Sequence, residues 1–96
     1  MSMDTSYKAL ADPTRRQILD LLRHEDLTAG DIAAEFHMAW PSVSRHLAVL
    51  KHAGLVLAER EGQYIRYSLN TTVIQEIVAE LIDLAERRKR RSRVNA

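Results

Sequence analysis

Apolar residues along the chain first keep a helical rhythm and then, past the middle, an alternating one. Ile18, Leu19 and Leu22 recur at helical spacing, with Arg15, Arg16 and Asp20 turned away. Asp12 is placed to cap this helix, and Pro13 suits its first turn. A shorter helix around Tyr7 to Leu10 precedes it. Thr28 and Asp31 form a variant capping box that opens a helix to about Phe36, with Ile32, Ala33 and Phe36 on one face. His37-Met38-Ala39 is long enough only for a turn. The next helix starts near Pro41, buries Val43, Leu47 and Leu50, and ends at Gly54, a residue suited to a left-handed terminus.

After Gly54 the period becomes two. Val56 to Glu61, Gly62-Gln63 and Tyr64 to Leu69 read as a hairpin. Ile65, Tyr67 and Leu69 fall on one face, and Tyr64, Arg66 and Ser68 on the other. Asn70 and Thr71-Thr72 offer N-caps for a last helix from about Val73 into a basic tail. The pattern predicts a mainly α fold with a small β-hairpin, in the order α-α-α-α-β-β-α. Two short helices across a tight turn, followed by a hairpin, make a winged helix-turn-helix. Residues 1–86 form one domain in this reading, and 87–96 a basic tail.

The last helix carries too much apolar surface for one core. Val73, Ile74, Ile77, Val78, Leu81, Ile82, Leu84 and Ala85 fill about half its wheel, beyond the roughly 100° stripe that packing on one core needs. The surplus calls for a partner, most simply the same helix of a second copy. Ile74, Ile77, Val78, Leu81 and Leu84 are therefore the expected homodimer contacts on this helix. A wide helix lying across its own small core is the other possibility.

Composition narrows the chemistry. The 96 residues contain no cysteine, which excludes disulfides, thiolate metal sites and thiol nucleophiles. His24, His37, His46 and His52 share no metal-ligand spacing, and no glycine-rich phosphate loop exists, so an enzyme, a metal site and a cofactor are not expected. No small-molecule ligand is identifiable either. No apolar run approaches the roughly 20 residues of a membrane helix. Charges at Asp4, Lys8 and Asp12 speak against a signal peptide, so a cytoplasmic location is expected.

A net charge of +1 first argues against a nucleic-acid partner, but the charge is sorted along the chain. Residues 1–36 hold four basic and seven acidic side chains, whereas no acid occurs from His37 to Ala58. That gap is the expected phosphate-facing surface. The helix face opposite Val43, Leu47 and Leu50 carries Pro41, Ser42, Arg45, Ala48, Val49 and His52, with Ser44 and His46 on its flanks. Arg45 is the candidate base reader, because arginine is the commonest bidentate partner of guanine. Ser42 and Ser44 suit either a phosphate or base contact or a helix cap. His46 suits DNA contact or a half-buried hydrogen bond, and Trp40 partial core or a DNA or partner contact. Arg60, Gln63 and Arg66 on the wing suit phosphate or the minor groove, with pairing of Arg66 to Glu59 or Glu61 as the alternative.

Taken together, these residues resemble the ArsR/SmtB repressor family. Lys8-Ala9-Leu10-Ala11-Asp12-Pro13-Thr14-Arg15, Val43-Ser44-Arg45-His46-Leu47, Ala53-Gly54-Leu55-Val56 and Tyr67-Ser68-Leu69 carry the resemblance over roughly residues 7–85. Leu27 to Ala33 and Glu61-Gly62-Gln63 are most similar to the SdpR-type autorepressor branch. The resemblance implies a dimeric winged helix-turn-helix repressor joined through its first and last helices, which adds Tyr7 and Leu10 to the expected homodimer contacts. It also marks departures: the family's thiolate site has no cysteine here, and its Asp and His site on the last helix has no histidine. Ala39 stands where the family often has a capping Ser or Thr. The expected function is an autoregulatory repressor binding double-stranded DNA at a palindrome. The alternatives are a ligand- or metal-responsive member of the family, or a winged protein-interaction module without DNA binding.

Overall fold

The computed structural model describes the backbone of residues 3–95 and the side chains of residues 3–88. Five helices and three strands follow in the order α1 (Met3–Leu10), α2 (Pro13–Leu22), β1 (Leu27–Thr28), α3 (Ala29–Phe36), α4 (Trp40–His52), β2 (Val56–Glu61), β3 (Tyr64–Leu69) and α5 (Thr71–Asn95). The sheet is antiparallel in the order β1-β3-β2. The expected winged helix-turn-helix is present, with one strand more than the hairpin alone. β1 pairs Leu27 with Tyr67 and Thr28 with Arg66, so the wing is held along both edges of β3.

Local chemistry sets the boundaries. The Asp12 carboxylate accepts from the backbone N–H of Thr14 at 2.8 Å and of Arg15 at 3.2 Å, and Pro13 needs no partner there. Thr28 and Asp31 cap α3 reciprocally, each side chain accepting from the other's backbone N–H, at 3.2 and 3.1 Å. α3 ends on His37, which takes the left-handed conformation at φ 53°. Gly54, at φ 77°, lets the chain leave α4 and enter the wing. Gly62, at φ 63°, makes the first corner of the two-residue hairpin turn.

Ile18, Leu22, Ile32, Val43, Leu47, Leu50, Leu55 and Val56 form the buried centre, with Ala9 from α1 and Ile77 from α5. Leu19 and Phe36 pack at its edge. Burying a side chain of this size is worth roughly 1.5–3 kcal/mol, which ties all five helices to one core. Two polar contacts add direction. Ser6 is buried on α1 and donates to the Ala53 carbonyl at 3.3 Å, beyond the end of α4. The Asn70 amide, at the N-cap position of α5, donates to the Gly54 carbonyl at 2.9 Å, while its own backbone carbonyl accepts from the Ile74 N–H at 3.2 Å. α4 and the wing are thereby pinned at their common corner.

Three further placements differ from the sequence reading. Arg15 is not turned out to solvent: its side chain is mostly buried and donates to the carbonyls of Ala9 at 2.7 Å and Lys8 at 3.1 Å, closing the end of α1. Ile65 shares the strand face of Tyr67 and Leu69, yet it lies beyond the core and is half-exposed. α5 begins at Thr71, two residues earlier than expected, and runs without interruption past residues 86 and 87. Side chains of the expected basic tail from residue 89 onward lie outside those described.

Candidate nucleic-acid interface

α4 presents its two faces as the apolar spacing requires. Val43, Leu47 and Leu50 are buried, while Pro41, Ser44, Arg45, Ala48 and His52 are exposed. Ser42, His46 and Val49 are half-buried between them. Ser44, placed on the flank by the wheel, is thus more accessible than Ser42. The helix starts at Trp40, and its N-cap Ala39 makes no side-chain cap bond. Its first turn holds no acid and its last turn holds Lys51 and His52. The positive end of the helix dipole therefore faces outward without a neutralising carboxylate.

Arg45 does not stand alone. It lines a shallow cleft of about 480 Å³ with Thr5, Lys8 and Ala9 of α1, Arg15 of α2, and Ala48, Val49 and His52 of α4. Its basic side chains come from three helices, and no acid lines it. Lys8 was missed as a site residue, because only the packing of α1 beside α4 brings it next to Arg45. The heptad-like spacing of α4 carries no signal for that.

His46 sits at the inner border of this surface. Its Nδ1 is shielded from solvent and has no hydrogen-bond partner. Desolvation at the half-buried Asp12 pushes its carboxyl up. The N–H groups of Arg15 and Thr14 and the charges of Arg15 and His46 outweigh this and hold it below the ordinary carboxylate value.

Trp40 is 59% exposed, so it is not a core residue. Its ring leans on α3, where a Cβ placed on Gly30 would lie 2.7 Å from Trp40 Cζ2 and 3.1 Å from Cη2. Gly30 thus provides the seat for the indole edge.

The wing divides its basic residues. Arg60 is exposed near the turn, with Nε 3.4 Å from the Gly62 carbonyl, and Gln63 is exposed at the turn itself. Arg66 is drawn the other way. It donates to the Glu61 carboxylate at 2.9 Å and to the Asp26 carbonyl at 3.3 Å. Hydrogen bonding to Glu61, and then its charge, raise the Arg66 pKa above its ordinary value. Arg66 also lines a cleft of about 470 Å³ with Glu25, Asp26, Asp31 and Glu35. The structure accordingly places Arg45, Lys8 and His52 together and Arg66 apart, on an acidic flank.

The expected dimer residues divide as well. Ile77 is 6% exposed and belongs to its own chain's core, with Ile74 and Leu10 packed at the core edge. Val78, Leu81, Ile82 and Leu84 remain exposed along α5, and Tyr7 stands beside them on α1. Tyr7, Leu81 and Leu84 line one cleft between these two helices. Among the described residues no helix is long and apolar enough to cross a membrane, and no three His, Asp or Glu side chains are grouped to hold a metal ion.

Comparison with known proteins gives the same frame. Residues 12–57 match the family described as "Bacterial regulatory protein, arsR family". The chain is 54% identical to the transcriptional repressor SdpR of Bacillus subtilis over 76 residues, 79% of this chain and 84% of that protein. It is 39% identical to the HTH-type transcriptional regulator Rv2034 of Mycobacterium tuberculosis over 80 residues, covering 83% and 75% of the two chains. Among solved structures, an ArsR-like transcriptional regulator from Rhodococcus sp. RHA1 superimposes with a TM-score of 0.85 at 27% identity, over 92% of this chain and 83% of that one. The homodimeric winged helix-turn-helix DNA-binding domain of a possible ArsR-family regulator from Mycobacterium bovis gives 0.73 at 33% identity, over 88% and 78%. With this sequence similarity and a fold in common with these regulators, the chain belongs to the arsR family of bacterial regulatory proteins.

Proposed function

We propose that this protein is a cytoplasmic, sequence-specific transcriptional repressor that binds double-stranded DNA as a homodimer and acts by excluding polymerase from a promoter. α4 enters the major groove, with Arg45 reading a base and Trp40, Pro41, Ser42, Ser44 and His46 along the contact. Arg60 and Gln63 reach the flanking backbone from the wing. Arg66 orients the wing from behind rather than touching DNA. Tyr7 and the outer face of α5, with Val78, Leu81 and Leu84, join two copies so that two α4 helices face one palindrome. Repression of its own gene is the mode that similarity to SdpR-type autorepressors favours.

The observation that carries this reading is the outer surface of α4. It is exposed, free of acid from His37 to Ala58, and continuous with a cleft lined by Lys8, Arg45 and His52. The homodimeric relative and the exposed stripe on α5 support the assembly. Selection from a random-sequence DNA pool at low salt, followed by a salt titration, tests it. The expected result is a palindrome with half-sites roughly 34–36 Å apart and an affinity that falls steeply with salt. A pool in which no sequence is enriched overturns the reading and leaves a protein-interaction module.

A further inference from the structure

Two residues in this fold are poor choices for folding alone. Gly30 occupies the second position of α3, where glycine is among the weakest helix formers. Its backbone is not in the left-handed region, so an alanine fits the local conformation. Thr28 Oγ1 would sit at an ordinary 3.8 Å from an added Cβ. The one obstacle is Trp40, whose Cζ2 would lie at 2.7 Å. Trp40 in turn leaves more than half of a large apolar side chain in solvent at the first position of α4. Each residue makes sense through the other: the glycine is the seat, and the seat fixes an exposed aromatic at the groove-facing end of the recognition helix.

We propose that Trp40 reads a thymine through its C5-methyl group, and that Gly30 is the positioning residue that holds the indole for that contact. This inference rests on the DNA-binding reading above and names one of the bases read. The N-terminal residues of a recognition helix meet base edges. Thymine alone among the four bases offers an apolar group in the major groove. An indole pinned along one edge has lost most of its rotamer freedom before binding, so its remaining surface docks at little further entropic cost. Pro41, next in the chain, stiffens the same turn.

The test uses the full chain and the duplex that wild type selects from the random pool. Each thymine in the half-site is replaced by deoxyuridine, which removes only the methyl group. Wild type is expected to lose about fourfold in affinity per half-site at one thymine, the effect of one buried methyl. Trp40→Ala is expected to bind thymine and uracil equally there, while Arg45→Ala keeps the preference. Gly30→Ala is expected to lose the preference too while melting no lower than wild type, since alanine favours the helix. A purely structural Gly30 would instead lower the melting temperature and leave the uracil preference intact, which overturns its role. Absence of any uracil-sensitive thymine in wild type, or its persistence in Trp40→Ala, overturns the inference while the DNA-binding reading stands. A wild-type selection that enriches nothing removes both.

Discussion

Arg66 Nε donates to the Glu61 carboxylate at 2.9 Å, diagonally across the wing, while its Nη1 reaches back 3.3 Å to the carbonyl of Asp26 just before β1. One guanidinium thus fastens the tip-side of the hairpin to the segment that leads into the helix-turn-helix. The arrangement uses the planar fork of arginine, which lysine lacks.

Arg66→Ala is expected to loosen the wing and weaken DNA binding by a similar small factor, about two- to fivefold, on all sequences. The slope of log affinity against log salt is expected to stay unchanged, because no phosphate contact is lost. A slope reduced by about one would instead place Arg66 on the DNA backbone.

Arg45→Ala has a different signature. It is expected to cost roughly 1–3 kcal/mol on the selected duplex and to relax the preference at one base pair in each half-site. Binding measured on duplexes varied one position at a time checks this. Equal affinity of Arg45→Ala for every site would remove Arg45 as a reader.

Acid sensitivity follows from the two helix caps. The Asp31 carboxyl is held below its ordinary value first by the Thr28 N–H, then by the Thr28 hydroxyl, against a smaller desolvation. Asp12 is also lowered, its caps and neighbouring charges outweighing desolvation. A carboxyl with a depressed folded pKa adds stability that is present above its unfolded value of about 3.9 and disappears as pH falls through the folded one. Melting temperatures from pH 7 to pH 2 are expected to drop in wild type below about pH 4. An Asp12→Asn, Asp31→Asn double variant should start lower and converge on wild type in that range.

The two kinds of apolar residue on α5 should separate on substitution. Ile77→Ala is expected to cost about 2–5 kcal/mol, as for a buried core residue, in thermal unfolding. Leu81→Glu and Leu84→Glu place charge on the exposed stripe and are expected to keep the fold while shifting the molecule to monomer. Sedimentation velocity at micromolar concentration distinguishes the two outcomes.

The elements legible in the sequence are those fixed by chemistry within a few residues. Asp12-Pro13, the Thr28 and Asp31 pair, Gly54 and Gly62 each mark a boundary that the backbone obeys. Contacts between distant segments left no such mark. β1 is two residues long and forms only because the free edge of β3 comes beside it. Arg15 looked solvent-facing because the wheel of α2 takes no account of the end of α1 that it closes. Asn70 is an able cap by type and stands at the head of α5, but the bond from its amide to the Gly54 carbonyl joins segments 16 residues apart and left no mark in the sequence. At the site, the exposed face of α4 was readable from its apolar period. Lys8 beside Arg45, Arg66 in its acidic cleft and Trp40 on Gly30 depend on packing between elements far apart in the chain.

β1 has a thermodynamic consequence for partner binding. A hairpin anchored on one edge swings about its base, and docking must first freeze that swing. Here Leu27 and Thr28 hold the opposite edge, and Thr28 is also the cap of α3. The wing and the helix-turn-helix therefore share a residue and turn together as one rigid lever. Their relative angle is set when the chain folds, so less orientational entropy remains to be lost when both meet a duplex.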